Sequence, residues 1–520
     1  VRLLAAAMPG IGMLLFTLYL HQMTGVWFAW SRSHEAWGRA YDGLAPFATA
    51  YGWLAESSIL EVVTNVPYNT LNTIALVFAL RAFVGLSAAS RGVSQFIDDA
   101  FYYLLIARNF ADTGMPTFDG VNATNGFHPL WMLMLAGMYK VIGTGAGLFT
   151  QIVAAKVLEL LTLAGALALC VVAYRRLRDT TPLAWGFPGA AVILLAPRLY
   201  VFEQGMESTL AAGLLLAALY GAIDRRPAWL MATLPLLFLA RLDSLVFVIA
   251  PLALWWVLQE GPDWRAHVRT FAPVALVAAA FIGMNLALTG EANTISGQIK
   301  SSFPHITPHW SYLIEPLLLG PHLGWRMLYA YPNTLVATIG LALVAAACAL
   351  RRREPWVRPV AWVLLMAALL IANVLLFQRW DKGVDARYLS LPYVLLGFAA
   401  FATLAGLLRR RENAAWAFGL LLAACALVWG VRFEEERPMR MDLTKANEVK
   451  AATRPGERFA GTDVGAFSFW LERPFVNLDG LVNNRELQEA IRDKRLADYL
   501  EKHDVRYLLP AFWDRQQALV

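Results

Sequence analysis

Charged residues are scarce in this sequence of 520 residues. Only 16% are Asp, Glu, Lys or Arg and 58% are hydrophobic, whereas a soluble globular protein has about 25% charged residues. The shortage is uneven, because 31 of the 82 charged residues lie in the last 89 positions, 432–520. A shortage sustained over the first 431 residues excludes an ordinary soluble enzyme. The composition therefore predicts an α-helical polytopic membrane protein with a small water-soluble domain at its C-terminal end.

Cysteine is also rare, and its placement excludes a disulfide framework. The three cysteines, Cys170, Cys348 and Cys425, all lie in apolar segments, and the polar C-terminal part has none. The net charge of +6 does not indicate a nucleic-acid partner, because the basic residues form short clusters between apolar runs. That distribution is typical of the cytoplasmic loops of membrane proteins.

Apolar stretches long enough to cross a bilayer, about 17 to 25 residues, recur along the chain. A further apolar pair, 228–240 and 244–258, is short and broken at Arg241 and Asp243. We expect about 12 spans, and we interpret the first stretch as a span rather than a removed signal peptide, since no small-residue cleavage site follows it. The full-length stretches are 5–22, 69–89, 151–173, 183–202, 207–222, 270–288, 326–349, 358–377, 388–407 and 414–431.

Arginine clusters between the spans predict the topology, because cytoplasmic loops carry an excess of Lys and Arg. One alternation of the loops between the two sides of the membrane places all the clusters on the cytoplasmic side. The same alternation puts the segment 95–150 and the C-terminal part on the outer side. It requires the apolar helix 129–141 to lie along the outer surface, where Trp131 and Tyr139 would suit the interface. The clusters are Arg175, Arg176 and Arg178; Arg225 and Arg226; Arg265 and Arg269; Arg351, Arg352 and Arg353; and Arg409, Arg410 and Arg411.

The polar C-terminal part has the pattern of a small α/β unit. Helical periodicity covers 441–452 and 487–503, and short extended runs occur at 458–460, 474–478 and 505–509. Glycine-containing turns connect these elements. The sequence therefore predicts a small sheet with helices in this part.

An acidic pair, Asp98-Asp99, is the first candidate for chemistry. Adjacent carboxylates raise each other's pKa and suit proton abstraction if one faces a cavity. The pair also suits the N-terminus of a helix over 100–111, and both interpretations stay open here. A Gly/Asn-rich run that contains Asn125 and His128 follows and leads into Pro129, which indicates the edge of a site.

The acidic pair, the aromatic helix after it and the run Thr124-Asn-Gly-Phe-His-Pro-Leu-Trp131 together resemble the GT-C superfamily of polytopic glycosyltransferases. Members of that superfamily use polyprenyl-phosphate-linked sugars. They include protein O-mannosyltransferases, lipid A aminoarabinose transferases and mycobacterial arabinofuranosyltransferases. The segments 204–208, 239–243, 293–300 and 385–389 resemble the arabinofuranosyltransferase-like bacterial members, and the resemblance covers roughly residues 90–510.

The resemblance also implies a domain organisation. In the superfamily the acidic loop normally follows the first span, whereas about 90 residues precede it here. We therefore expect an extra N-terminal span and polar loop at 1–68 and a catalytic transmembrane domain at 69–431, whose acidic outer loop is 95–150. An extracytoplasmic α/β domain would follow at 432–520. The expected fold is thus GT-C-like, with juxtamembrane helices in the first large outer loop.

Roles follow from the resemblance and from the chemistry of a phosphate leaving group. The general base would be Asp98, with Asp99 as its partner. A departing polyprenyl phosphate needs fixed cations, and the donor-phosphate candidates are Arg241, Arg387, Lys300 and Arg379, with Lys382 behind them. The substrate-binding candidates are Tyr102, Asn125, His128, Glu207, Asp243 and Asp385.

Structural alternatives remain for several of these residues. Arg241 and Asp243 could pair only with each other, and Arg387 could be an interface arginine. Lys300 could be a solvated loop lysine, and Glu207 could cap the helix that begins at Ser208.

No required cofactor is expected. His305, His309 and His322 lie in one predicted loop, but Pro304 and Pro308 break the helix that a ligand pair would need. Some oligosaccharide-transferring relatives hold Mg²⁺ or Mn²⁺ at the acidic pair, whereas users of monosaccharide phosphates usually do not.

The function expected is transfer of a hexosyl or pentosyl unit from a polyprenyl-phosphate donor to an envelope glycan, lipid or protein. The reaction would take place on the outer face of a bacterial cytoplasmic membrane, and the other partner is the lipid bilayer. The alternatives are a transporter or flippase, and an envelope glycan ligase similar to O-antigen ligases. The sequence has no inverted repeat of the kind that transporters show, and a ligase would tolerate loss of Asp98.

Overall fold

The structure is a computed structural model of the chain, and it divides into two compact units, Val1–Leu76 and Val77–Val520. The fold and the site below belong to the second unit. The residues that the structure describes are 22–23, 74–75, 77–82, 85–86, 96–196, 202, 204–303, 305–308, 333–378, 386–408 and 440–509.

Helices make up most of the described chain before residue 409. Glycine or proline bounds many of them: Gly114 and Gly290 end two helices in the left-handed conformation, and proline occupies the first position of two others. The helices are α1 (Asp98–Thr113), α2 (Pro129–Ile142), α3 (Leu148–Leu177), α4 (Gly186–Leu195), α5 (Ser208–Ile223), α6 (Pro227–Ala240), α7 (Ala250–Glu260), α8 (Trp264–Thr289), α9 (Ile295–Lys300), α10 (Asn333–Leu350), α11 (Val357–Phe377) and α12 (Ser390–Leu407).

Four helices in the described ranges are long and apolar enough to cross a membrane: Leu148–Leu177, Trp264–Ala287, Val357–Phe377 and Arg387–Leu407. Several shorter apolar helices accompany them. The expected α-helical polytopic class is confirmed. The figure of about 12 spans stays a prediction, since the stretches 5–22 and 414–431 lie outside the described residues.

The predicted break between two short apolar helices is present. Helix α6 ends at Arg241, whose backbone is extended (φ −154°, ψ 102°). A π-helical turn, Leu245–Ile249, then leads into α7. Such turns are often found where a helix contributes to a functional site, and the irregular stretch 241–247 here faces the cavity described below.

Helix α2 is too short to cross a bilayer. Its 14 residues extend about 21 Å at 1.5 Å per residue, against a hydrocarbon core of about 30 Å. Trp131 and Tyr139, expected at an interface, are instead fully buried within the protein. The Trp131 indole donates to the Gly205 carbonyl (3.0 Å) and the Tyr139 hydroxyl to Gln151 Oε1 (2.8 Å), so the tertiary fold satisfies their polar atoms.

The C-terminal part forms the expected α/β unit. Its three strands make a parallel sheet in the order β2-β1-β3. The prediction of one continuous helix over 487–503 was wrong. Two helices are present, and the turn between them contains Lys494, which has a positive φ of 57°. The elements are α13 (Arg440–Ala452), β1 (Arg458–Gly461), α14 (Gly465–Leu471), β2 (Phe475–Asn477), α15 (Arg485–Arg492), α16 (Leu496–Lys502) and β3 (Val505–Leu508).

The sheet unit and helices α1, α2 and α3 share one hydrophobic core. The rings of Phe101 and Phe469 lie 5.2 Å apart, and those of Phe149 and Trp470 lie 5.4 Å apart. Backbones also meet closely, since a Cβ on Gly126 would overlap the Leu481 carbonyl. The C-terminal segment is therefore packed against α1, α2 and the loop between them, and it contributes to the site that these elements form.

Candidate active site

A cavity of about 560 Å³ lies where α1, the turn before α5, the break after α6, the segment 292–305 and the start of α12 meet. Leu481 and Val482 of the C-terminal part complete its wall. Asp98 and Asn125 are not among the described residues that line it, and Arg379, Lys382 and Asp385 lie outside the described residues. The predicted site residues that do line it are Asp99, Tyr102, His128, Glu207, Arg241, Asp243, Lys300 and Arg387.

Two cations converge on one oxygen of Asp99. Its Oδ2 atom lies 2.8 Å from Lys300 Nζ and 2.7 Å from Arg387 Nη1. Burial alone would raise the pKa of Asp99, but the two cations outweigh it and hold that pKa well below its usual range. The carboxylate in turn raises the pKa of Lys300 against the effect of burial. The cluster is therefore fully ionised at neutral pH.

This cluster does not suit a divalent metal. The carboxylate oxygen that would bind the ion already contacts two positive groups, and they would repel it. In the part of the chain that the structure describes, no group of three or more His, Cys, Asp and Glu residues is placed to hold a metal.

Arg241 holds the backbone that carries Arg387. Its Nη1 donates to the Arg387 carbonyl (3.2 Å) and to Ser390 Oγ (3.3 Å), while its Nε donates to Asp243 Oδ1 (3.1 Å). Arg241 thus has the pairing with Asp243 that the sequence left open, and it also fixes the turn before α12. The Arg387 guanidinium lies over the Tyr388 ring at 5.1 Å from its centroid.

Lys300 ends a short helix, α9, whose first turn is held by Asn125. The Asn125 side chain accepts from the Ile295 N–H (2.9 Å) at the start of α9 and donates to the Asn293 carbonyl (3.4 Å). Lys300 ends this short helix, and its side chain is only 17% exposed. Asn125, expected to bind substrate, is therefore placed as a support for the segment that carries Lys300.

Asp98 faces the C-terminal part instead of the cavity. Its Oδ2 accepts from the Gly465 N–H and its Oδ1 from the Ala466 N–H, each at 2.8 Å. It does not cap its own helix, whose N-cap is Ile97; it caps α14 instead. Burial outweighs these hydrogen bonds and raises the pKa of Asp98 to about 6. The general base expected at Asp98 thus has both oxygens engaged away from the cavity.

Tyr102 also makes hydrogen bonds with the C-terminal part. Its hydroxyl donates to Asp479 Oδ2 (3.0 Å) and accepts from the Val464 N–H (3.2 Å) and from Asn477 Nδ2 (2.9 Å). Tyr102 is among the residues that line the cavity, and its hydroxyl contacts the C-terminal part. Burial raises the pKa of Tyr102 well above its usual value, so it remains a hydrogen-bond donor.

His128 and Glu207 form a second polar group in the cavity. His128 Nε2 lies 3.6 Å from Glu207 Oε1, and the Leu242 N–H points at His128 Nδ1 from 3.5 Å. Burial lowers the pKa of His128, which favours the neutral ring. Glu207 stands at the N-cap of α5 but its side chain makes no cap hydrogen bond, so the capping alternative is not observed.

A buried ion pair behind the cavity was not predicted. Lys156 Nζ lies 2.7 Å from Glu159 Oε2 within α3, and both side chains are almost fully buried. Glu159 Oε1 accepts from the Gly205 N–H (2.9 Å), in the turn that carries Glu207. The signal was present in the sequence, since two charges one turn apart in an apolar stretch are costly and indicate a role.

Comparisons with known proteins support the fold. No protein-family model matches the chain, and no curated protein matches it. Solved structures do match. ArnT from Cupriavidus metallidurans in the apo state is 14% identical with a TM-score of 0.53, over 83% of this chain and 91% of that one.

Two further structures agree with this similarity. ArnT bound to undecaprenyl phosphate is 14% identical with a TM-score of 0.52, over 82% of this chain and 90% of that one. The archaeal oligosaccharyltransferase AglB from Archaeoglobus fulgidus was solved in complex with an inhibitory peptide and a dolichol-phosphate. It is 12% identical with a TM-score of 0.52, and the match covers 86% of this chain and 70% of that one. At these identities the likeness concerns the fold, which confirms the expectation from the acidic motif. The chain has the same fold as these ArnT and AglB structures.

Proposed function

We propose that this protein transfers a sugar from a polyprenyl-phosphate donor to a hydroxyl group of a cell-envelope acceptor. The observation that carries the proposal is the convergence of Lys300 and Arg387 on the Asp99 oxygen within the cavity. Two fixed cations that share one anionic oxygen are suited to a phosphate, because Arg binds its oxygens directionally and Lys adds a point charge.

The neighbours in fold support a lipid-phosphate ligand. The ArnT structure was determined with undecaprenyl phosphate and the AglB structure with a dolichol-phosphate. The cavity of about 560 Å³ falls within the range of about 300 to 1,000 Å³ typical of small-molecule sites, so a sugar phosphate fits by size. A phosphate at Lys300 and Arg387 would place the sugar among the remaining polar residues.

The general base in this proposal is Asp99, because Asp98 uses both oxygens to hold Gly465 and Ala466. Asp99 takes the proton of the acceptor hydroxyl, the acceptor oxygen forms a bond to the anomeric carbon, and the bond from that carbon to the phosphate oxygen breaks. The electron pair leaves with the polyprenyl phosphate, whose charge Lys300 and Arg387 neutralise. A positioned carboxylate typically contributes about 10² to 10⁴ in rate.

Donor binding would also activate this base. In the free protein the two cations hold the pKa of Asp99 low, which makes it a poor proton acceptor. A donor phosphate that takes over Lys300 and Arg387 would weaken both contacts and raise that pKa. The base would then become effective only when a donor is bound.

We further infer the cellular setting from the topology that the arginine clusters predict. The cavity and the C-terminal part would lie on the outer face of a bacterial cytoplasmic membrane, and the acceptor would be an envelope glycan, glycolipid or protein. We infer that the transferred unit is a hexose or a pentose. Leu481 and Val482 would take part in admitting the acceptor, because they line the cavity.

The test is turnover by the purified protein in lipid nanodiscs. Undecaprenyl phosphate carrying labelled mannose, arabinofuranose or 4-amino-4-deoxyarabinose is offered with an envelope extract as acceptor, and loss of sugar from the lipid is followed. We expect one donor to be consumed by the wild type and not by Asp99→Asn. No consumption of any donor, or undiminished consumption by Asp99→Asn, would overturn the proposal. Movement of the intact donor across the membrane would instead identify a flippase.

A further inference from the structure

Glu207 has one carboxylate oxygen without a partner in the described part of the chain. The residue is 5% exposed and lines the cavity, and its Oε2 atom is buried and makes no hydrogen bond. The other oxygen, Oε1, faces the neutral His128 ring at 3.6 Å. A buried acceptor with no donor is unfavourable, and in a native structure it requires an explanation such as a bound water, an ion or a ligand.

The turn that carries Glu207 is rigidly held, which argues for a preformed site. The Gly205 N–H donates to Glu159 Oε1 (2.9 Å) and its carbonyl accepts from the Trp131 indole (3.0 Å). Gly205 has a positive φ of 75°, and a Cβ there would overlap the Phe96 ring. The backbone turn therefore holds Glu207 at the cavity wall, with its unpaired oxygen buried there.

The spacing along α1 relates this oxygen to the phosphate site. Tyr103 lies one helical turn after Asp99 and accepts a hydrogen bond from the His128 N–H at 2.9 Å. One turn corresponds to about 5.4 Å along the helix axis, which is comparable with the width of a single sugar ring. A phosphate at Lys300 and Arg387 would thus leave its sugar next to Tyr103, His128 and Glu207.

We propose that Glu207 binds the sugar of the donor, with its Oε2 atom accepting a hydrogen bond from a sugar hydroxyl. This inference rests on the proposed function and names the part of the cavity that recognises the sugar. The chemistry fits, because a carboxylate oxygen accepts hydrogen bonds and a sugar hydroxyl is a donor. His128 Nε2 lies 3.6 Å from the other carboxylate oxygen, Oε1, and the Glu159–Gly205–Trp131 contacts hold the turn.

The test compares undecaprenyl phosphate with the same lipid carrying a sugar. Binding of undecaprenyl phosphate and of the three sugar-bearing lipids named above is measured for the wild type and for Glu207→Gln and Lys300→Gln. The control is Glu260→Gln, the same substitution at a glutamate that pairs with Arg225 away from the cavity. We expect Glu207→Gln to weaken binding of the preferred sugar lipid about tenfold and to leave undecaprenyl phosphate unchanged. Lys300→Gln should weaken both.

Three outcomes would overturn the inference: equal loss for both lipids in Glu207→Gln, no loss for either, or a wild type that binds the sugar lipids no better than undecaprenyl phosphate. Failure of the proposed function is a different result. In that case the wild type binds the sugar lipid but consumes no donor, and the binding comparison still decides the role of Glu207.

A second measurement removes hydroxyl groups from the donor and combines this change with the Glu207→Gln variant. A set of monodeoxy donors, each lacking one hydroxyl, is bound to the wild type. We expect one of them to lose about tenfold in affinity and to show no further loss in Glu207→Gln, since the two changes remove the same contact. If every deoxy donor loses further affinity in Glu207→Gln, the assigned contact does not exist. If the preferred donor is the aminosugar and only removal of its ammonium gives this pattern, the hydroxyl assignment is overturned.

Discussion

Asp98 and Asp99 are adjacent on α1, yet their carboxylates serve two different structures. Asp98 accepts from the Gly465 and Ala466 N–H groups at 2.8 Å, and Asp99 contacts Lys300 and Arg387 at 2.8 and 2.7 Å. Successive residues of a helix point about 100° apart, so two neighbours can face different partners. One carboxylate therefore holds the C-terminal part while the other lines the cavity.

Asp99→Asn should abolish turnover without abolishing donor binding. We expect a rate loss of about 10² to 10⁴ because the base is gone. Undecaprenyl phosphate should bind at least about threefold more tightly, since the phosphate no longer competes with a carboxylate for two cations. Steady-state turnover and lipid binding measure the two effects.

Asp112→Asn is the matched control, because this aspartate lies exposed on the same helix. It should change neither quantity. Weaker phosphate binding in Asp99→Asn would show that the carboxylate supports the two cations instead of competing for them.

The stability that depends on Asp98 should vary with pH between about 4 and 6. Its pKa is raised from 3.8 to about 6 in the folded protein, so the folded state binds the proton more tightly than the unfolded state. Stability is therefore greatest below the unfolded pKa and falls as pH rises through the folded pKa, by up to about 3 kcal/mol. Unfolding of the wild type should show this slope, and Asp98→Asn should flatten it.

Two features make the pH experiment specific. The pKa of Asp99 is lowered, so its contribution is present above its unfolded pKa and is lost only at lower pH, outside this window. Asp263→Asn provides the control, because Asp263 also accepts from two N–H groups at a helix start but is exposed. A wild-type slope that persists in Asp98→Asn would assign the effect to another group.

The Lys156–Glu159 pair should be strongly coupled. Removing one partner leaves a buried charge, so Lys156→Met or Glu159→Gln should each cost about 3 to 5 kcal/mol. The double variant should cost clearly less than the sum, because no unpaired charge remains. Thermal unfolding in detergent measures the cycle. Additive losses would show that the two side chains are not paired.

A single methyl group at Gly126 should disturb docking of the C-terminal part. A Cβ there would overlap the Leu481 carbonyl, whereas a Cβ on Gly137 in α2 meets nothing within 4 Å. We expect Gly126→Ala to destabilise the protein by about 1 to 3 kcal/mol through overpacking. Gly137→Ala should be stabilising by up to about 1 kcal/mol, because alanine favours the helix. Proteolysis of the C-terminal part reports on docking, and equal protection of both variants would contradict the contact.

The residues that form the site could be predicted because charges are rare in an apolar chain. Arg241, Lys300, Arg387 and Glu207 are conspicuous for that reason, and all four line the cavity. The C-terminal strands could be predicted from short runs bounded by turns. The resemblance of the acidic motif indicated the fold, which the solved structures confirm.

The roles within that set could not be predicted, because they depend on contacts between distant parts of the chain. Asp98 and Asp99 are indistinguishable in sequence, and only the docking of residues 465 and 466 separates them. Trp131 fits an interface as well as a core, and only the Gly205 carbonyl decides between the two. Asn125 looks like a substrate ligand until the backbone of α9 is placed beside it.

The bonds from Asp98 to Gly465 and Ala466 have a consequence for biosynthesis. They join positions 367 and 368 residues apart, so α1 leaves the ribosome long before its partner exists. A chain that stopped before residue 461 would still contain Asp99, Lys300 and Arg387 but would lack Leu481 and Val482 in the cavity wall. The cavity wall is therefore completed only when the C-terminal part has been synthesised and has docked on α1.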